Sequence, residues 1–200
     1  MKIVVVNNYK EAEKTEEALN NLTRCTGKRL ELVDYKTRNI SEAVEAKSPD
    51  LVIMTGSNFM LSKPDTKTVF QEEMDMIKKL DLPFLGICFG HQLIGATYGV
   101  DIADLGQTVH AYKEIKILGE DPVFEGLPGT IRVHESHRQA LVQLPPGFRH
   151  LAESPISRIE AIAHSTRPVY GVQFHPERSD DKNPHGRRII QNFVKLVTKT

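Results

Sequence analysis

Two short segments of this 200-residue chain carry residue types that could do chemistry together. The first, Gly86-Ile87-Cys88-Phe89-Gly90, follows an apolar run and leads into a helical pattern. Its G-x-C-x-G spacing is the thiol form of a nucleophile elbow, a sharp turn that lifts a nucleophile above the end of a sheet. The glycines leave room for the turn and for close helix–strand approach. Cys88 would stand at a helix N-terminus, where the dipole and the free N–H groups favour thiolate over thiol. Taken alone, it reads equally well as a small buried apolar residue, as free cysteines often are. The second segment, 168–177, is an apolar strand pattern ending in His175-Pro176-Glu177. A cysteine nucleophile needs a base to take and return a proton, and the base needs an orienting acceptor. His175 and Glu177 can fill those roles. An isolated H-P-E is otherwise a strand-end histidine capped by a carboxylate.

Together, GICFGHQ (86–92) and GVQFHPE (171–177) closely resemble the two motifs of the class I glutamine amidotransferase family. That resemblance implies an α/β fold of flavodoxin-like architecture, a layered parallel-to-mixed sheet with flanking helices. It implies hydrolysis of L-glutamine to glutamate and ammonia through a thioester on Cys88, with His175 as acid–base and Glu177 as its orienter. It implies no cofactor, and a synthetase that usually receives the ammonia. Gln92 matches the family glutamine that contacts substrate, and as the i+4 neighbour of Cys88 it shares a helix face with it. His91, beside it, points elsewhere and reads as structural. For the oxyanion, the expected donors are the backbone N–H of Phe89 and that of Ser57. Ser57 lies in Thr55-Gly56-Ser57-Asn58, where family members commonly have Ser-Gly-Gly-Pro, and Gly56 is expected to border the substrate. A serine in place of the second glycine makes positive φ costlier. The expectation is a resting peptide with its N–H turned from Cys88, leaving Phe89 as the single donor.

A third stretch, VHESHRQALVQLP (133–145), resembles the GMP-synthase branch of the same family. There the backbone of Ser136 and His137 borders the α-carboxylate of glutamine; otherwise Ser136 is ordinary turn chemistry. His134, Ser136 and His137 invite a metal, but one histidine pair with no cysteine nearby is too little, and no metal is expected. Two departures stand out. Gln139 occupies a place that is often acidic in that branch, and Asn7-Asn8-Tyr9-Lys10 replaces a usual Gly-Gln after the first strand. Both are expected to lie away from the triad and to bear on the acceptor or partner. No glycine-rich phosphate loop is present, so an ATP-dependent synthetase must be a separate chain. The competing readings are a free-standing γ-glutamyl hydrolase and a binding or regulatory relative with a decayed site. The intact Cys88, His175 and Glu177 count against decay.

The elements that must position these residues follow from the pattern. Segments 2–6, 30–33, 51–54 and 83–87 are short and apolar on both faces, as strands of a covered parallel sheet are. Between them, 11–22, 41–46 and 66–80 read as helices. Strand and helix in alternation imply right-handed crossovers and layered α/β architecture. After Gly99 the texture turns β-rich, with strand candidates at 108–118, 131–134, 140–143, 159–163 and 169–174. A closing helix is expected over 186–197.

Composition sets the outer bounds. The whole chain, 1–200, reads as a single domain, long enough to bury a core without staples. With 26 basic and 26 acidic residues, the chain lacks the basic excess of a nucleic-acid-binding surface. No apolar run approaches a membrane span, the start is no signal peptide, and two cysteines make no disulfide framework. The expected setting is the cytoplasm.

Overall fold

Short runs of β-branched and apolar residues become the middle of a nine-stranded sheet in the computed structural model, which describes residues 1–198. Strands β1 (Ile3–Asn7), β2 (Leu30–Asp34), β3 (Leu51–Met54) and β4 (Phe84–Ile87) are parallel. The second half supplies β5 (Ile102–Ile117), β6 (Thr130–Leu141), β7 (Phe148–Glu153), β8 (Ala161–His164) and β9 (Val169–Val172). The order is β2-β1-β3-β4-β9-β8-β7-β5-β6: β9 continues the parallel part beside β4, and β8, β7, β5 and β6 extend it in antiparallel fashion.

Alternation along the central strands feeds two apolar layers. Ile3, Val5, Leu51, Ile53, Leu85 and Ile87 pack with Leu22 of α1 (Ala12–Thr26) and with Ile189, Ile190 and Phe193 of α6 (His185–Thr198). Val4, Val6, Val52, Met54 and Phe84 face the other way, onto α2 (Ile40–Glu45), α4 (Gln71–Lys79) and α5 (Phe89–Thr97). That is the layered α/β arrangement expected.

The details differ from expectation in three places. The helix expected over 66–80 is two, α3 (Pro64–Val69) and α4, broken at buried Phe70, whose φ −101° and ψ 14° leave the helical region. The two short strands expected at 131–134 and 140–143 are one, β6. Its polar middle looked like a turn because the face that carries Glu135, His137 and Gln139 is buried although its residues are polar. Strand β7 was not anticipated, since Arg149 and His150 interrupt its apolar residues.

Candidate active site

The sharp turn between β4 and α5 is the local structure on which everything here rests. Cys88 has φ 51° and ψ −96°, a conformation that L-residues avoid and that persists only when surroundings impose it. The flanking glycines are needed for space. A Cβ on Gly86 would lie 2.5 Å from the carbonyl carbon of Gly90, and one on Gly90 would lie 2.7 Å from the carbonyl oxygen of Met54. The Cys88 N–H donates to Val172 O at 2.8 Å, tying the elbow to β9.

Beyond β9 the chain delivers His175 and Glu177 to the same point. His175 Nδ1 and Glu177 Oε1 are 2.7 Å apart, and both side chains are buried. Burial opposes a charged imidazole, but the Glu177 carboxylate and a Cys88 thiolate outweigh it and push His175 up to about 10. Burial likewise opposes the Glu177 carboxylate, yet its cationic partner His175, helped by Arg178, holds it below the usual carboxylate range. The His175 N–H donates to His134 O at 2.8 Å, which pulls the middle of β6 over the elbow. The Ser136 carbonyl then lies 3.8 Å from Cys88 Sγ, and Gln173 Nε2 lies 3.7 Å from it on another side. Gln173 had no role in the sequence reading. Its position two residues before His175 on the same strand face was the available signal.

A cavity of about 260 Å³ opens over Cys88, walled by Ser57, Phe89, Gln92, Ser136, His137 and Gln139 among others. It is smaller than the roughly 300–1,000 Å³ of drug-sized pockets and suits an amino-acid-sized ligand. Cys88 and five of the other expected site residues therefore share one cavity wall. Gln92 lines it with its Nε2 already engaged, donating to Gln139 O at 2.9 Å and Gln173 Oε1 at 3.2 Å. Gly56 is not in the lining. A Cβ there would lie 2.6 Å from Tyr9 Oη and 2.8 Å from His175 Cε1, so its backbone is the surface against which the histidine ring rests. Ser57 stands outside the left-handed region, as a serine in that place should. Its hydroxyl donates to Asn8 O at 2.6 Å and accepts from Phe59 N at 3.1 Å. His91 is fully buried against Gly171 and kept neutral by burial, near 3, in keeping with a structural role.

The two departures do not lie away from the triad, and that expectation is corrected. Tyr9 is packed beside Gly56, where burial and the charges of Glu177 and Cys88 hold its hydroxyl far above the usual phenol range. Asn8 accepts the Ser57 hydroxyl on its carbonyl and donates its N–H to Thr55 Oγ1 at 2.9 Å. Gln139 lines the cavity, and its side-chain oxygen accepts from Leu61 N at 2.7 Å, with Ser62 on its nitrogen. Both departures thus brace the loop that follows β3.

A thiol at a helix start, an imidazole held by a carboxylate and an adjoining small cavity can carry out acyl transfer. The family model for class I glutamine amidotransferases matches residues 4–197. The chain belongs to the class I glutamine amidotransferases. Among relatives, the glutamine-hydrolyzing GMP synthase subunit of Methanosarcina barkeri is 35% identical over the whole of this chain and 98% of its own. That of Archaeoglobus fulgidus is 32% identical over all of both chains, and that of Pyrococcus abyssi 37% over 78% of this chain and 79% of its own. A crystal structure from Thermoplasma acidophilum, described as a GMP synthase subunit, superposes with TM-score 0.82 at 26% identity, covering all of this chain and 94% of that one. A glutamine amidotransferase from Thermotoga maritima, 15% identical with TM-score 0.75, covers all of this chain and 99% of its own and shares the fold.

Proposed function

We propose that this amidotransferase is the glutaminase component of a two-chain GMP synthase, releasing ammonia from L-glutamine for a separate ATP-dependent synthetase that aminates XMP. The observation that supports the chemistry is a buried His175–Glu177 pair interacting with Cys88, which itself lines the cavity. The acceptor rests on full-length similarity to GMP synthase subunits.

In this reading the Cys88 thiolate attacks the side-chain amide carbon of glutamine, with His175 as its imidazolium partner and Glu177 fixing the ring. The tetrahedral oxyanion forms against the backbone N–H groups of Phe89 and Ser57. His175 gives its proton to the departing nitrogen, the C–N bond breaks, and a γ-glutamyl thioester remains. Neutral His175 then takes a proton from water as it attacks, and collapse of the second oxyanion frees glutamate and restores the thiolate. Gln92 and the backbone of Ser136 and His137 orient the substrate's amino-acid end, while Gly56 positions His175.

The test pairs the chain with the synthetase of the same organism. Wild type should support GMP formation from XMP and ATP with either glutamine or ammonium. Cys88→Ala should lose the glutamine-dependent reaction and keep the ammonium-dependent one. A chain that hydrolyses glutamine at full rate alone and never stimulates the synthetase would instead be the free-standing hydrolase.

A further inference from the structure

Behind the cavity wall, three more ionisable side chains converge. Glu135 and His137 stand two residues apart on one face of β6, and Glu160 arrives from the turn just before β8. All three are buried, at 4% exposure or less, and one possible ligand atom from each lies within 4.8 Å of the others. His137 Nδ1 is 3.0 Å from the carbonyl oxygen of Gln139, which can only accept. Nδ1 therefore carries a proton, which makes Nε2 the ring nitrogen that can offer a lone pair to a cation. That Nε2 is 2.8 Å from Glu135 Oε2, yet the two are not aligned as a hydrogen bond. Among the described residues, no N–H or hydroxyl group donates to either Glu135 oxygen or to Glu160 Oε2, which leaves these carboxyls only each other; Glu160 Oε1 accepts from Ser154 Oγ at 2.6 Å. No described lysine or arginine pairs with either carboxylate, and neighbouring His91 is neutral.

A ring nitrogen and a carboxylate oxygen 2.8 Å apart, with a second buried carboxylate beside them, are placed to share a common cation. We propose that Glu135, His137 and Glu160 form a binding site for a divalent transition-metal ion of the zinc class. Two carboxylates match the charge of such an ion, and one imidazole with two carboxylates is a donor set it accepts. An Nδ1–H held on a backbone carbonyl is the usual second contact of a metal-bound histidine. Three protein ligands leave a fourth position open. The ion would sit outside the reaction and fix the part of β6 whose Ser136 carbonyl lies against Cys88 Sγ. The proposal stands on its own geometry and does not depend on what the amidotransferase supplies with ammonia.

Because the triad thiol is itself a zinc ligand, the experiment uses Cys88→Ser. The protein is incubated with Zn2+, freed of excess ion and assayed for metal content, and Co2+ substitution is followed by visible absorption. One equivalent should be retained, with a Co2+ spectrum free of thiolate bands. Adding Glu135→Gln or Glu160→Gln should weaken retention by about tenfold or more. Thermal unfolding in chelator monitors the fold of these variants, which should match Cys88→Ser, since each removes a buried charge. Should either fail to fold, the stoichiometry of Cys88→Ser and the other variant decide. No zinc retained by Cys88→Ser, or retention indifferent to Glu135→Gln and Glu160→Gln, overturns the proposal.

Discussion

Among the described residues Glu177 is the carboxylate that touches His175, and this contact should set both a rate and a pH range. Glu177→Gln keeps the shape of the contact and removes its charge, so the imidazolium loses its largest support. We expect kcat/KM for glutamine to fall by roughly 10²-fold, a share of the 10²–10⁴ that positioned proton transfer supplies. The His175 titration followed by NMR should move down from about 10. The same shift appears in stability. A histidine raised from about 6.5 in the unfolded chain stabilises the fold fully below that value, and loses the contribution as pH rises towards its folded value. Urea unfolding between pH 6 and 10 should therefore show wild type weakening with rising pH through this window, and His175→Gln should show a flatter dependence. A wild-type profile no steeper than that of the variant would mean that His175 is neutral throughout.

At the scale of elements, the loop after β3 packs on the His175 ring through Gly56 and lines the cavity through Ser57. Gly56→Ala would drive a methyl group into Tyr9 and the His175 ring. A displacement of the base by about 1 Å costs on the order of 10² in rate, so activity should collapse in a protein that still folds. Ser57→Gly acts in the other direction. It removes the hydroxyl tie to Asn8 and makes positive φ accessible, freeing the peptide to offer its N–H to the oxyanion. One donor is worth roughly 10²–10³ in kcat, so the basal glutaminase rate of the isolated chain should rise by up to that factor. An unchanged basal rate would show that docking of the synthetase does not act through this peptide. These elements were unevenly legible in the sequence. Gly86, Cys88 and Gly90 announced their turn because the space that each glycine vacates is dictated by local backbone. The packing of Gly56 was not legible, since the atoms that need its space, on Tyr9 and His175, are distant in sequence. Strand β6 was split in two because Ser136 and its polar neighbours read as turn chemistry; only the folded sheet brings Glu160 and Cys88 to them.

On the scale of the molecule, the two apolar layers draw on both ends of the chain. Leu22 of α1 packs in the same layer as Phe193 of α6, and β4 is bounded by β3 on one side and β9 on the other. We propose that residues 1–200 unfold as one unit. Calorimetry should give a single transition with equal calorimetric and van't Hoff enthalpies, and two resolved transitions would divide the chain at the β-rich extension. Among the described residues, no helix is long and apolar enough to cross a membrane.

The elbow at Cys88 also sets the order in which heat disables the protein. A non-glycine residue held at φ 51° stores about 1–3 kcal/mol that relaxes as soon as its neighbours loosen. We therefore expect the elbow to loosen first on warming, in a local opening too small to register as a second calorimetric transition. Glutaminase activity should be lost several degrees below the midpoint of the far-ultraviolet circular dichroism transition and return on prompt cooling. A bound active-site ligand should draw the two temperatures together.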